Sequence, residues 1–244
     1  MTNRTSLHRV ACAVHEVDIW LIAITDDEQV FRSNWSFLSL DEQERATRFL
    51  KEADRRRFVI TRGTLRARLG QTLSEHAECL TFAYDQNRKP FLMDHTELRF
   101  NVSHAGDFAM IGLSRVGSVG VDIEVYHDNI DECEIARTVF TDAEQEVLKS
   151  LDGIHRTSAF YAMWTYKEAV AKAIGIGIAR FNPCVPESVL ADLSCGRELR
   201  CKAIVNSDIY AAPVVMPCGY FGTVAFHRPL LQAGEKDEPN GYEP

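Results

Sequence analysis

No apolar run in this chain approaches the about 20 residues that cross a bilayer, and the opening MTNRTSLHRVACAVHEVD meets its charges before any continuous apolar core forms. The sequence therefore predicts neither a signal peptide nor a transmembrane segment, and it expects a cytoplasmic protein with no membrane partner. Paired cysteines are missing as well. The seven that occur (Cys12, Cys79, Cys133, Cys184, Cys195, Cys201 and Cys218) are odd in number, scattered and without a CxxC pair, which argues against both a disulfide framework and a structural zinc site. Positive charge is in deficit. The 27 Lys and Arg residues face 35 Asp and Glu, a net charge of −8 that argues against a nucleic-acid binder working through a global positive field. A GxSxG elbow is absent too, and neighbouring Ser and His side chains diverge, so Ser103-His104 does not make a hydrolase. What is present is an ordinary globular composition, 45% hydrophobic and 25% charged over 244 residues, enough for one large domain or two modest ones.

Patterning divides the chain into elements. Val17 to Ile24 (VDIWLIAI) reads as a buried strand. Ser39-Leu40-Asp41-Glu42 is a capping box opening a polar helix to about Glu52, and the arginine-dense helix from Asp54 to Leu69 is ended by Gly70. Strands follow at Cys79 to Tyr84 and Leu98 to Val102, with a turn at Asp85 to Lys89 between them. Asp107 to Arg115 and Ser118 to Val125, joined at Val116-Gly117, predict an antiparallel hairpin. A second capping box, Thr141 to Glu144, opens a helix toward Leu151, and a long helix from about His155 to Ile174 is stopped by Gly175 and Gly177. Leu199 to Val205 and Gly219 to Phe226 read as closing strands. The polar tail after Leu231 is expected to be disordered.

Two features recur. The capping-box acids Glu42 and Glu144 are 102 positions apart and the glycines Gly70 and Gly175 are 105 apart, which sets Arg62 opposite Lys167 and suggests an internal duplication. The predicted fold is therefore α+β: two similar lobes (1–115 and 116–231) related by a pseudo-twofold axis, each a small, mainly antiparallel sheet packed on helices. A ligand cleft is expected at their boundary, and a chain containing its own partner half is expected to remain a monomer.

The chemistry-bearing residues fall in a few stretches. WTYKEAVAK, Trp164 to Lys172, puts Glu168 and Lys172 four apart on one face of a largely apolar helix. They form a solvated pair there or converge on a phosphate and its metal. In Gly120-Val121-Asp122-Ile123-Glu124 the strand period directs Asp122 and Glu124 to one face, with Met110 and Ile111 expected on the partner strand. Adjacent carboxylates repel unless they face solvent or a cation lies between them, and an oxygen-only set favours Mg²⁺ over zinc. Ser103 and His104 at a strand end either hold a phosphate or cap a turn. Arg55, Arg56, Arg57, Arg62, Arg66 and Arg68 make the one basic cluster, suited to a polyanion or to solvent. Lys89-Pro90 offers one more cation, and Glu144 has a sufficient task as a capping acid.

Together RKP (Arg88 to Pro90), FNVSH (Phe100 to His104), GVDIE (Gly120 to Glu124), FTDAE (Phe140 to Glu144) and WTYKEAVAKAIGIGI (Trp164 to Ile178) resemble, in order and spacing, the two-lobed 4′-phosphopantetheinyl transferases. The resemblance runs from the first strand to about His227. One departure is Arg88, where that family often has glycine. The resemblance implies Mg²⁺-dependent transfer of the phosphopantetheine arm of coenzyme A to a serine of an apo acyl or peptidyl carrier protein, releasing adenosine 3′,5′-bisphosphate. It implies that Asp122, Glu124 and Glu168 hold Mg²⁺ and that Lys172, with Lys167, offsets phosphate charge. It implies further that Ser103, His104 and Lys89 grip the adenosine phosphate end, with Arg57 and Arg62 assisting. For the serine proton it offers Glu168, Glu144 or a water on the metal, of which Glu168 is favoured. The segment Val125 to Val139 is expected to help dock the carrier through residues such as Ile135. The rival readings are a non-catalytic coenzyme A or nucleotide-binding module and a Mg²⁺-dependent nucleotide phosphohydrolase.

Overall fold

The computed structural model describes residues 7–128, 130–177, 182–195, 204–206 and 208–228. The first half begins with strands β1 (Leu7–Val10) and β2 (Asp18–Ala23), then helices α1 (Glu28–Ser36), α2 (Leu40–Thr47) and α3 (Glu52–Leu73). A small ladder of β3 (Phe82–Tyr84) and β4 (Pro90–Leu92) precedes β5 (Arg99–Ala105) and β6 (Phe108–Ser114). The second half runs β7 (Ser118–Val125), α4 (Glu132–Val139), α5 (Asp142–Lys149), α6 (Gly153–Ile174), α7 (Glu187–Ser194), β8 (Ile204–Asn206), β9 (Ile209–Pro213) and β10 (Tyr220–His227). Two four-stranded antiparallel sheets result, ordered β1-β2-β6-β5 and β7-β10-β9-β8. No described helix is long and apolar enough to cross a membrane.

The fold is α+β with two similarly ordered lobes. Leu65 and Leu69 of α3 pack on the outer face of the first sheet with Ile22, Ile111 and Phe100. In the second half, Phe160, Met163 and Val170 of α6 bury against Ala211 and Ala225. A third core lies between the sheets, where Ile19, Leu21 and Met110 meet Val121, Ile123, Val224 and Phe226. Each such fully buried aliphatic or aromatic side chain stabilises the fold by about 2 kcal/mol, so the shared core ties the lobes together.

Four expectations change. The hairpin over Asp107 to Val125 does not form: β6 pairs with β2 and β5, whereas β7 pairs with β10. Three residues after β6 the chain starts the other sheet, because inward residues of both strands are needed in the shared core. Met110 and Ile111 are therefore not on the ladder partner of β7. The expected polar helix stops at Thr47 rather than about Glu52, with Arg48 as its C-cap. The arginine-rich helix does not end at Gly70 but runs to Leu73, and Ser74 takes the left-handed cap at φ 60°. Gly70 serves close packing instead, since a Cβ there would lie 2.7 Å from the Glu75 carbonyl oxygen. Helices α1, α4 and α7 and strands β1, β4 and β9 went unforeseen. Of the expected closing strand from Leu199 to Val205, the described part lies in β8 (Ile204–Asn206); residues 199–203 and the tail lie outside the described residues.

The repeat is clearer in space than in sequence. Helices α3 and α6 are both 22 residues long and both end in a left-handed residue, Ser74 and Gly175. Matching those ends puts Arg66, not Arg62, opposite Lys167. Arg66 Nε donates to Glu42 at 2.5 Å and Lys167 Nζ reaches Glu144 at 2.8 Å, so each half buries one capping acid against one cation of its long helix.

Candidate functional site

The sequence of β7 decides how the second half is assembled. Alternation sends Val119, Val121 and Ile123 into the shared core, leaving Gly120, Asp122 and Glu124 to face α6. At Gly120 the two backbones nearly touch: a Cβ would lie 2.0 Å from the Ala169 carbonyl oxygen and 2.4 Å from Ala173 N. That approach brings the face of Trp164, Glu168 and Lys172, spaced four apart, onto the acidic strand. Trp164 Nε1 donates to Glu124 at 3.1 Å, and Lys172 Nζ donates to Asp122 Oδ1 at 2.6 Å.

Strand β5 lies against β7 at the sheet boundary, joined not by a ladder but through Asn101, whose Oδ1 accepts from Val121 N at 2.8 Å. Two residues on, Ser103 Oγ donates to Asp122 Oδ1 at 3.1 Å and lies 3.4 Å from Lys172 Nζ. The other face of β5 presents Val102 and His104 to a cleft of about 380 Å³, lined also by Arg45, Phe49, Asp54, Arg57, Phe58, Thr61, Arg62, Leu65 and Pro90. Arg57 is braced by Asp54 and the Gly106 carbonyl. Thr61 Oγ1 and Arg62 Nη1 are buried without a hydrogen-bond partner.

Electrostatically the acidic cluster is out of balance. Burial raises the Asp122 carboxyl above the usual range, against the pull of the Lys172 ammonium. Burial and then the neighbouring Asp122 charge raise Glu124, and burial raises Glu168 against Lys172. The Lys172 ammonium acts on all three carboxylates and does not outweigh their burial. Asp122 Oδ2 is buried with no hydrogen-bond partner. Among the described residues no three carboxylate, His or Cys groups already stand as a metal cluster. The orphaned oxygen, the mutual repulsion and the oxygen-only donors nevertheless suit a hard divalent cation of the Mg²⁺ kind. In the cleft, desolvation of the His104 ring and then the Arg57 charge hold its pKa below the ordinary value.

The structure thus brings Asp122, Glu124, Glu168, Lys172 and Ser103 together and puts His104, Arg57 and Arg62 on the adjoining cleft. It does not bring in the other three. Lys167 and Glu144 are both fully buried and paired with one another. Lys167 also donates to Asn182 Oδ1 and the Pro183 carbonyl, and Glu144 accepts from Thr141 N and Val185 N, so neither has an atom left for a ligand. Lys89 points away from the cleft, donating to the carbonyls of Val119 at 3.0 Å and Lys172 at 2.6 Å. Ser103 parts from His104 because adjacent strand residues face opposite ways. The arginine cluster disperses: Arg55 and Arg56 lie over Phe31, Arg66 is buried on Glu42 and Arg68 lies over Trp20. Ile135 and Val139 turn inward against the second core, which leaves Cys133, Glu134, Arg137 and Thr138 as the exposed residues of α4. Sequence reasoning missed Arg45 and Thr61, which carry no local signal, and Trp164, read as core. Its indole N–H is the polar handle that gave it away.

Comparison with known proteins gives the family. Residues 25–115 match the family model for the N-terminal part of 4′-phosphopantetheinyl transferases, and residues 118–195 match that of the 4′-phosphopantetheinyl transferase superfamily. A Synechocystis sp. protein bearing the 4′-phosphopantetheinyl transferase name is 35% identical over 176 residues, 71% of either chain. The 4′-phosphopantetheinyl transferase HetI of Nostoc sp. is 35% identical over 170 residues, 68% of this chain and 72% of that one. Sfp of Bacillus subtilis is 26% identical over 144 residues, 59% and 63% of the two chains. With the acidic strand, the long helix and the two-lobed fold on these terms, the chain belongs to the 4′-phosphopantetheinyl transferase superfamily.

Proposed function

We propose that this protein transfers the 4′-phosphopantetheine arm of coenzyme A to a serine hydroxyl of an apo acyl or peptidyl carrier protein and releases adenosine 3′,5′-bisphosphate. The observation that carries the reading is the convergence of Asp122, Glu124, Glu168 and Lys172 beside a cleft lined by Arg45, Arg57, Arg62 and His104. Coenzyme A presents phosphate at both places. The arginines suit its adenosine 3′-phosphate, since a guanidinium offers a planar fork to phosphate oxygens, and Arg45, Arg57 and Arg62 all line the cleft.

Asp122, Glu124 and Glu168 would hold Mg²⁺, which neutralises charge on the pyrophosphate when bound. In the transfer the serine oxygen attacks the phosphorus that carries the pantetheine arm, and the bond to the bridging oxygen of the pyrophosphate breaks. Both electrons stay with the departing bisphosphate. Lys172 stabilises the charge that builds on the phosphoryl oxygens. Glu168, half buried on the same helix face, takes the serine proton. Ser103 orients Asp122 and Lys172 by bonding with both. The exposed side of α4 beyond the acidic strand suits the carrier, through Arg137 rather than Ile135.

Incubating the protein with coenzyme A, Mg²⁺ and a panel of apo carrier proteins tests the reading by mass spectrometry. The expected outcome is a carrier heavier by one phosphopantetheine. An unmodified panel overturns it, and free adenosine bisphosphate with unmodified carriers identifies a phosphohydrolase instead.

A further inference from the structure

We propose that Asn87, on the turn between β3 and β4, is a positioning residue for Lys172: it holds the last turn of α6 in place from the opposite lobe. The inference rests on the transferase reading above. A helix leaves its last carbonyls without intrahelical donors, and the turn that carries the chemistry is here also the turn most prone to fray. The Ala171 carbonyl is closed by Gly175 N at 3.0 Å. Two others are closed from the first lobe: Asn87 Nδ2 donates to the Gly175 carbonyl at 2.6 Å and Lys89 Nζ to the Lys172 carbonyl at 2.6 Å. Lys89 Nζ also donates to Val119 O at 3.0 Å, so one ammonium joins α6 to β7 at the main chain of the very residue that reaches Asp122.

The clamp is stiff at its own base. Asp85 Oδ1 accepts from both Asn87 N and Lys89 N at 2.8 Å, and Asp85 N and Lys89 O close the turn at 3.0 Å. On its other side α6 rests backbone to backbone on Gly120, so its C-terminal turn is gripped between a strand of its own lobe and a turn of the other. Donors at a helix C-terminus also meet the negative end of the dipole favourably. Releasing the Asn87 side of the grip lets the Lys172 main chain drift, and drift below 1 Å at a reacting group is enough to slow a positioned reaction.

Asn87 is exposed and touches none of the cleft, so its variants leave the core intact. Asn87→Ala removes the donor. Asn87→Asp keeps the shape, removes the donor and adds a negative charge at the negative helix end. With a carrier that the unaltered protein modifies, the expected result is a kcat lowered about tenfold in Asn87→Ala and further in Asn87→Asp, with the KM for coenzyme A within twofold. Hydrogen exchange at the amides of Lys172 to Ile176 is expected to quicken in both, with Tm nearly unchanged. An unaltered kcat in Asn87→Asp, a raised coenzyme A KM at constant kcat, or a loss equal to the unfolded fraction overturns the proposal. Should the unaltered protein modify no carrier, the transferase reading fails by itself; the exchange comparison still decides whether Asn87 holds the helix.

Discussion

Asp122 shows at the scale of one residue how stability and function pull apart. Its carboxyl is buried, its pKa is raised and one oxygen is unpaired, so the ionised form is held at some expense. Asp122→Asn preserves the shape and accepts from Ser103 and Lys172 as before. It should lower kcat/KM by at least about a hundredfold while thermal unfolding in chelator shows no loss of Tm. Wild-type transfer by this variant would remove Asp122 from the site. Lys89 supplies a pH signature. Burial lowers its pKa from 10.5 to about 8, so the unfolded chain binds that proton more tightly. Below pH 8 both states are charged and the burial penalty is fully felt; stability from this group rises as pH climbs from 8 toward 10.5, by at most about 1.4 kcal/mol per pH unit. Urea unfolding across that window should show the rise in the natural protein and not in Lys89→Arg, whose side chain stays charged. Arg88 stands at φ 62°, the left-handed conformation that glycine adopts freely, which gives the departure at this position a physical meaning. Arg88→Val should destabilise by about 1–2 kcal/mol in denaturant unfolding, whereas Arg88→Gly should be no less stable than the natural chain.

At the scale of elements, the union of β7 and α6 makes the acidic site, and Gly120 permits it. Gly120→Ala forces a methyl into the α6 backbone, which must retreat. A loss of about 3 kcal/mol or more is expected by chemical denaturation, with transfer lost at temperatures where the variant remains folded, because Lys172 and Trp164 leave the strand with the helix. The helix face was legible in part: Glu168 and Lys172 stand four residues apart, and the alternation of Asp122 and Glu124 is the matching strand period, while Trp164, one turn earlier on that face, joined it only through its bond to Glu124. Which strand would lie beside β7 was not legible. Two apolar strands with a short turn describe a hairpin as well as a crossing between sheets, and only burial of both inner faces in a shared core selects the crossing. The stop at Gly70 failed for a similar reason. A glycine near a helix end is a cap when it takes the left-handed conformation, but here it admits the chain that folds back at Glu75.

At the scale of the molecule, each half repeats one buried acid against one cation of its long helix. Glu144 and Lys167 read as chemistry in the sequence because they sit in motifs with the site residues, yet both are sealed inside the second lobe. Lys167→Met leaves the Glu144 charge alone in the core and should destabilise by about 3–5 kcal/mol in urea unfolding. Adding Glu144→Gln should restore part of that loss, and transfer per folded molecule in the double variant should stay within about tenfold of the natural protein. A complete loss of turnover in a folded double variant would return the pair to the catalytic machinery.

The sequence by itself determined the elements that carry the chemistry, the faces on which their acids and lysines stand, and the repeat, because strand and helix periods and capping boxes are local rules. Tertiary structure alone decided which charges remain available. Arg66, Lys167 and Lys89 are as cationic as Arg57, Arg62 and Lys172, and no local rule separates them. The first three are turned onto Glu42, Glu144 and two backbone carbonyls and away from the cleft, whereas Arg57 and Arg62, though paired with Asp54 and Glu42, still line the cleft and Lys172 stands on the acidic strand at Asp122.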